Sequence, residues 1–452
     1  MTADSDAIAA VSARWLRWRW RGARVAALYG VLVPVALAAG IARMWRRRSS
    51  LVGLRDKLTG DGARLTPGPI LIHGVSLGEV ALMRPLVARL EDAFAQRGAR
   101  PGFLLSTTTE TGRQGLDRSF PGYERTFLPY DLPWAVTRFL TRTRPRAVLL
   151  LESEIWPLLL CACFARGIPV VLVNAKSSER SFRRFMLGGA ATRALFGGVS
   201  LAIAQNAAYG ARLRALGVPR VHVSGSMKAD IVVTADRDAV MRERRRLGLG
   251  AEPILLIAST SGEEERALLT IWRDLGATWR LVICPRHPER APQVVAWCAD
   301  LGAASWRSTQ GGTPAAGAVV IVDEIGRLGT LYALTADAPT PGIAVVGGSL
   351  GSGRGGQNML EAAAAGCCTV VGWDTRNQPD SMAILRAHAG VIEMRPETMA
   401  RTIAELAFDE ARRRRTAAAG VRAWTSGVGA SARAARMIVE ELDRETPPRK
   451  SQ

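Results

Sequence analysis

Short apolar runs alternate with helical patterns along most of this chain of 452 residues. Six such runs lie between residues 69 and 225, and a second series of six lies between residues 253 and 394. Continuous apolar runs that alternate with helices are typical of parallel sheets whose two faces are both covered by helices. The sequence therefore predicts an α/β protein with two Rossmann-like, doubly wound domains that face each other across a cleft.

The pattern divides the chain into four segments. A basic, Trp-rich segment occupies residues 1–48, the first Rossmann-like domain residues 49–233, the second domain residues 234–443, and a polar tail residues 444–452. The boundary between the domains lies before the charged stretch TADRDAVMRERRRLGLG, which has the pattern of a helix. We expect the tail to be disordered because it is polar and terminal.

The charge of the chain indicates its partners. Its 60 basic and 40 acidic residues give a net charge of +20, which favours nucleic acid, anionic lipid or phosphorylated substrates. The sequence has no zinc-finger spacing, no RNP-like aromatic motif and no long basic helix beyond its N-terminus, so we expect no nucleic-acid partner. An anionic membrane surface and a phosphorylated substrate are the remaining expectations.

The cysteines and histidines indicate neither a disulfide scaffold nor a metal site. None of the six cysteines forms a C-x-x-C pair, and several lie in apolar runs, which favours buried free thiols in a reducing compartment. The four histidines show no metal-ligand spacing. We therefore expect no metal ion and no other cofactor.

Residues 25–42 form an apolar run of eighteen residues without a charge, flanked on both sides by Arg and Trp. Roughly 20 apolar residues span a bilayer, and interfacial Trp and flanking Arg are the usual anchors. A signal peptide fits poorly because the run ends in Arg-rich sequence rather than a cleavage site. A helix that only dips into the membrane stays open. The Arg46–Arg48 cluster favours the inner membrane, with the main body on the cytoplasmic side.

The segment HGVSLGEV, residues 73–80, places one carboxylate in a small-residue turn between an apolar run and a helical pattern. The carboxylate is Glu79, and the turn contains Gly74 and Gly78, which allow close backbone approach. A catalytic base is one interpretation. A simple acidic cap at a helix N-terminus is the other.

Polar residues follow nearly every predicted strand, and ligands of parallel sheets bind at that edge. Lys228 and Arg286 are cations suited to a phosphate. The glycine-rich segment 347–358 lacks the P-loop pattern but offers backbone N–H groups to an anion. Glu361, in the helix that follows, is suited to the two hydroxyls of a ribose. Together these features predict a transferase that uses a nucleotide sugar.

With these residues, the chain resembles the 3-deoxy-D-manno-octulosonic acid (Kdo) transferases. The matching segments are HGVSLGEV, STTTETG, LPYDLP, ESEIWP, NAKSSERS, GSMKAD, ASTSGEEE, PRHPER and GGSLGSGRGGQNMLEAAAAG, in family order over roughly residues 68–372. The resemblance implies a GT-B fold, CMP-Kdo as the donor, a lipid A precursor as the acceptor, no metal, and inversion at the anomeric carbon of Kdo.

The resemblance also implies roles for individual residues. Glu79 corresponds to the family's general base, and Glu152 and Lys228 correspond to groups that stabilise the transition state. The CMP-binding segments correspond to Pro285, Arg286, Ile325, Gly326, Arg327, Asn358 and Glu361.

Some positions depart from the family pattern. Arg327 replaces a glutamate, Lys176 replaces an arginine, and Leu158 replaces an asparagine. Trp373 and Asp374 replace a Pro-His pair. The changes at Arg327 and Trp373 keep open a GT-B transferase with another donor, such as a UDP-linked sugar. Loss of Glu79 or Lys228 would indicate a non-catalytic membrane-bound scaffold, but both are present, and the missing motifs disfavour a basic nucleic-acid binder.

Overall fold

The computed structural model describes residues 52–61, 68–152, 154–231, 236–260, 262–276, 278–337 and 340–445. The predicted anchor at residues 25–42 lies outside them, as does the tail beyond residue 445. Over the described ranges, no helix is both long enough and apolar enough to cross a bilayer. The described residues form two compact units, one with those up to Ile231 together with those from Gly429 onward, and the other with those between Ile231 and Gly429.

The first unit is built on a seven-stranded parallel sheet of order β3-β2-β1-β4-β5-β6-β7. Its strands are β1 (Ile70–His73), β2 (Phe103–Thr107), β3 (Glu124–Phe127), β4 (Ala147–Leu151), β5 (Val170–Ala175), β6 (Leu201–Ala204) and β7 (Val221–Val223). Its helices are α1 (Leu54–Thr59), α2 (Leu77–Ala95), α3 (Glu110–Ser119), α4 (Pro133–Thr143), α5 (Pro157–Ala165), α6 (Glu179–Leu187), α7 (Gly189–Gly197) and α8 (Ala207–Leu216), followed by a 3₁₀ turn at Met227–Ile231.

The second unit has a parallel sheet of order β10-β11-β9-β8-β12-β13-β14. Its strands are β8 (Ile254–Thr260), β9 (Arg280–Pro285), β10 (Ser305–Arg307), β11 (Val319–Ile321), β12 (Ile343–Val346), β13 (Cys368–Val371) and β14 (Ile392–Glu393). Its helices are α9 (Arg237–Arg246), α10 (Glu264–Leu275), α11 (Ala291–Asp300), α12 (Leu328–Ala336), α13 (Met359–Ala364), α14 (Pro379–Ala387), α15 (Met399–Phe408) and α16 (Glu410–Gly427), with 3₁₀ turns at Pro288–Arg290 and Pro396–Thr398.

The prediction of two parallel-sheet α/β units is confirmed, but the predicted six strands in each were one too few. The missed strands are β3 and β10, which lie at the edges of their sheets. Their sequences, ERTF and SWR, are short and partly polar because an edge strand is not enclosed on all sides. The predicted strands at the centre are continuous apolar runs because both faces of the sheet are buried.

The last helix, α17 (Ala430–Glu445), belongs to the first unit, whereas the sequence analysis assigned residues 234–443 to the second. Its apolar stripe, which includes Ala434, Ile438 and Leu442, joins the hydrophobic core beneath α2. The carboxylate of Asp230 accepts hydrogen bonds from the backbone N–H groups of Gly429 (2.7 Å) and Ser431 (2.6 Å). This contact fixes the start of α17 beside the 3₁₀ turn. The helix runs to Glu445, past the start of the predicted tail.

The six cysteines are free and buried, as predicted. Burial raises the pKa of the Cys161 and Cys284 thiols to about 12, so both are neutral at physiological pH. These thiols are packing residues rather than nucleophiles.

Candidate active site

Glu79 lies at the carboxyl end of β1, in the first turn of α2. The loop between them has no room for a side chain at Gly74, where a Cβ atom would lie 2.9 Å from the Glu79 Cβ. The backbone N–H of Val75 donates to Glu79 Oε2 (2.8 Å), and the Ser76 hydroxyl donates to Oε1 (3.0 Å). The Glu79 N–H donates back to Ser76 Oγ (3.3 Å), which caps α2. The carboxylate is therefore fixed in orientation at the loop and also completes the cap.

Glu152 follows β4, the strand beside β1, and its backbone has a positive φ of 57°. Its Oε2 atom lies 2.5 Å from the Lys176 Nζ, which follows β5. The Glu152 side chain is 11% exposed and that of Lys176 is 42% exposed, so the carboxylate is the inner member of the pair. A left-handed backbone at a non-glycine residue carries strain, and here it places Glu152 at the carboxyl edge of the sheet.

A third carboxylate, Glu154, completes this group, which we call the carboxylate cluster: Glu79, Glu152, Glu154 and Lys176. The indole N–H of Trp156 donates to Glu154 Oε2 (2.9 Å). Burial, and then the charge of Glu79, raises the pKa of Glu154 to about 7. This carboxyl group therefore holds a proton for part of the time near neutral pH.

The same cluster sets the proton affinity of Glu79. Burial raises the pKa of the Glu79 carboxyl, and the negative charge of Glu152 raises it further. The Val75 N–H bond, the Ser76 hydroxyl and the charge of Lys176 lower it and so keep the ionised form accessible. A carboxylate with a raised pKa is a better proton acceptor at neutral pH than an exposed one. The arrangement suits Glu79 to general-base chemistry.

His73, at the end of β1, is not a competing base. It is fully buried, and its Nδ1 lies 3.0 Å from the Ser106 hydroxyl oxygen. Burial lowers the pKa of its imidazole to about 3, so the ring is neutral at physiological pH. Its ring packs edge-on against Trp156, with 5.9 Å between the ring centroids. His73 therefore packs against Trp156, the residue whose indole N–H bonds to Glu154 of the carboxylate cluster.

Lys228 lies on the 3₁₀ turn that follows β7. The turn is positioned by the Asn174 side chain, whose Oδ1 accepts a hydrogen bond from the Met227 N–H (3.0 Å). The resemblance grouped Lys228 with Glu152. The Glu152 carboxylate pairs with Lys176, which the sequence analysis had noted only as a departure from the family pattern. Finding this pair from sequence would require knowing that β4 and β5 are adjacent.

In the second unit, Pro285 ends β9 and Arg286 follows it. The backbone N–H of Arg286 donates to the Thr260 carbonyl (2.9 Å), and its side chain is exposed. Glu361 lies in α13, and the Asn358 amide donates to its Oε1 (2.8 Å) while Asn358 Oδ1 caps the helix. Burial raises the pKa of Glu361, whereas the Asn358 bond and the charge of Arg286 lower it. Both Asn358 and Arg286 therefore lie close enough to Glu361 to interact with its carboxylate.

The glycine-rich loop before α13 is held by a residue that the sequence analysis did not select. The buried carboxylate of Glu264 accepts hydrogen bonds from the Gly348 N–H and the Leu350 N–H, both at 2.9 Å. Two N–H groups that the sequence assigned to a bound anion are therefore engaged within the protein. The backbone N–H groups of Gly347, Gly356 and Gln357 also donate to carbonyl oxygens within the protein, so internal hydrogen bonds hold much of this loop.

The last predicted CMP-binding segment precedes α12. Ile325 is 80% exposed, and Gly326 has a φ of 87°. The Arg327 guanidinium pairs with Glu324 at 3.0 Å, so its side chain is engaged locally. Trp373, another departure from the family, is 42% exposed and packs beside Gly351 of the glycine-rich loop, where a Cβ atom would lie 2.7 Å from the indole.

The two parallel-sheet α/β units define the fold class of the protein, and solved structures share this fold. Among solved structures, the UDP-GlcNAc 2-epimerase from Neisseria meningitidis covers 83% of this chain and 100% of its own, with a TM-score of 0.55 and 15% identity. A glycosyltransferase from Rickettsia africae covers 84% of this chain and 100% of its own, with a TM-score of 0.54 and 10% identity. At these identities the similarity shows the fold alone.

Sequence relatives define the family. Residues 43–231 match the family described as 3-deoxy-D-manno-octulosonic-acid transferase (kdotransferase). The 3-deoxy-D-manno-octulosonic acid transferase of Bordetella pertussis is 35% identical over 426 residues, which cover 88% of this chain and 94% of the relative. That of Haemophilus influenzae is 29% identical and covers 85% of this chain and 90% of the relative. The chain belongs to the Kdo transferase family and is a glycosyltransferase.

Proposed function

We propose that the protein transfers Kdo from CMP-Kdo to a lipid A precursor, with inversion at the anomeric carbon and without a metal ion. The observation that carries this proposal is the carboxylate cluster. Glu79 is fixed by two hydrogen bonds, has a raised pKa and lies in the field of the Glu152–Lys176 pair. Family membership supports the transferred sugar, and the motif resemblance supports the donor and the acceptor.

In the proposed reaction, the acceptor hydroxyl oxygen forms a bond to the anomeric carbon of Kdo. The bond from that carbon to the CMP phosphate oxygen breaks, and CMP leaves with the electron pair. The hydroxyl proton passes to the Glu79 carboxylate. Glu152, held by Lys176, stabilises positive charge that develops on the sugar, and Lys228 and Arg286 stabilise the departing phosphate.

The second unit is the proposed CMP site. Glu361 accepts hydrogen bonds from the ribose hydroxyls, and Asn358 fixes its carboxylate for that purpose. Pro285 and Arg286 form one side of the site, and the backbone of Ile325, Gly326 and Arg327 forms another. Backbone contacts are unaffected by the replacement of a family glutamate by Arg327.

The direct test is transfer by the purified full-length protein. With CMP-Kdo and a tetra-acylated lipid A precursor, mass spectrometry should show the acceptor heavier by Kdo, and a chelator should not change the rate. The Glu79→Gln variant should lose about 10²- to 10⁴-fold in turnover, because Gln keeps the shape but takes no proton. Its affinity for CMP should be unchanged.

Two results would contradict the proposal. Transfer from a UDP-linked sugar but not from CMP-Kdo would assign a different donor. Near-normal turnover by the Glu79→Gln variant would show that this carboxylate is only a helix cap.

Glu361→Ala should weaken CMP binding by roughly ten- to a hundredfold, because it leaves two ribose hydroxyls without their charged acceptor. Isothermal titration with CMP measures this directly. Glu397→Ala, at an exposed position of the same unit, is the matched control and should bind CMP as the wild type does. An unchanged affinity in the Glu361→Ala variant would leave Glu361 with a structural role only.

We also propose that residues 25–42 anchor the protein to the inner membrane, with both units on the cytoplasmic side. Flanking arginines would add about 1 kcal/mol each near an anionic surface. Deleting residues 1–48 should release much of the protein from sedimented vesicles. A truncated protein that stays fully bound through high-salt washing would place the principal anchor elsewhere.

A further inference from the structure

A cavity of about 400 Å³ opens beside the Glu152–Lys176 ion pair in the first unit. Its inner wall is apolar and comes from β5, α6, α7 and α8: Leu172, Phe185, Phe196, Leu213 and Leu216. Phe185 and Phe196 contact each other edge to face, with 5.1 Å between the ring centroids. Among the lining residues, Leu172 and Leu216 are each only 1% exposed, so the cavity reaches into the core.

The outer end of the cavity is polar and cationic. It is lined by Ser181, by Arg184 and by Lys176, which pairs with Glu152 of the same wall, and both cations are exposed. An apolar interior with a cationic entrance matches an amphiphile with a hydrocarbon chain and an anionic head. A nucleotide or a free sugar would leave the apolar wall without a partner.

Helix α6, which forms one side of the entrance, has no buried residue. Phe182 and Phe185 pack inward, whereas Met186 is 42% exposed and Leu187 is 89% exposed. Arg180 and Arg183 are exposed on the same helix. Exposed apolar residues beside arginines on one short helix are characteristic of contact with an anionic lipid surface. This pattern favours contact of α6 with a lipid surface.

We infer that this cavity, the acyl cavity, receives one acyl chain of the glycolipid acceptor while the reacting sugar hydroxyl lies at Glu79. The inference rests on the proposed function, since it specifies how that acceptor is held. Glu152 and Lys176 belong both to the cavity wall and to the carboxylate cluster. A chain held in the cavity therefore positions the sugar to which it is attached, whereas an unattached chain would occupy the entrance without presenting a hydroxyl.

Ser181→Trp tests the inference by filling the cavity from its entrance. The substitution removes the contacts of the Ser181 hydroxyl with Ser178 Oγ and with the Ser178 carbonyl, both at 2.9 Å, but Ser178 Oγ still accepts the capping bond from the backbone N–H of residue 181. We expect kcat/KM for the tetra-acylated acceptor to fall about ten- to a hundredfold, because several methylene groups lose their apolar surroundings. For the deacylated acceptor, kcat/KM should change less than twofold. Ala215→Trp, on the exposed side of α8, controls for the added indole.

Equal losses for the two acceptors, or no loss for either, would overturn the inference. A second readout does not depend on transfer. A lipid A precursor with a diazirine in one acyl chain should label the segment 182–216 of the wild type and not that of Ser181→Trp. Labelling that is absent, or that phosphatidylglycerol displaces as well as unlabelled acceptor does, would also overturn it. If the wild type transfers no Kdo to any acceptor, the proposed function fails, and the labelling alone decides what the cavity binds.

Discussion

The ion pair between Glu152 and Lys176 is the interaction on which the candidate active site depends. Three carboxylates lie together at the carboxyl edge of the first sheet. Burial raises the pKa of Glu79 and of Glu154, and repulsion from the neighbouring carboxylates raises both further. Lys176 offsets this repulsion from 2.5 Å away from Glu152. Breaking such a partly buried pair leaves an uncompensated charge, which costs more than the pair itself contributes. Without Lys176, Glu79 would hold its proton more tightly and would be ionised less often near neutral pH.

In both units, a carboxylate orders a loop at the end of a strand by accepting hydrogen bonds from backbone N–H groups. In the first unit Glu79 fixes the loop after β1 through Val75, and in the second Glu264 fixes the glycine-rich loop through Gly348 and Leu350. The difference lies in burial. Glu264 is 4% exposed and serves the fold, whereas Glu79 is half-buried, as the proposed role of a base requires.

The features that were predicted from the sequence are those that a pattern of neighbouring residues encodes. The central strands were predicted correctly because burial on both faces makes them continuously apolar. Glu79 was selected because its turn has an unusual composition, and its catalytic role stays a prediction. The edge strands β3 and β10 were missed because partial exposure makes them polar. The return of α17 to the first unit was missed because an apolar stripe does not say which core it joins. The Glu152–Lys176 pair and the Glu264 contact join segments that are distant in sequence, so only the strand order and the loop path bring them together.

The measurement that tests this account most directly is the pH dependence of kcat/KM for the wild type and for Lys176→Gln. The base must be ionised, so activity falls as the pH drops through the pKa of Glu79. Lys176 lowers that pKa, and removing its charge should move the acidic limb of the profile to higher pH. Arg89→Gln, an exposed cation on the same helix as Glu79, should leave the limb in place. An acidic limb that stays fixed in Lys176→Gln, or moves to lower pH, would contradict the role assigned to the cluster.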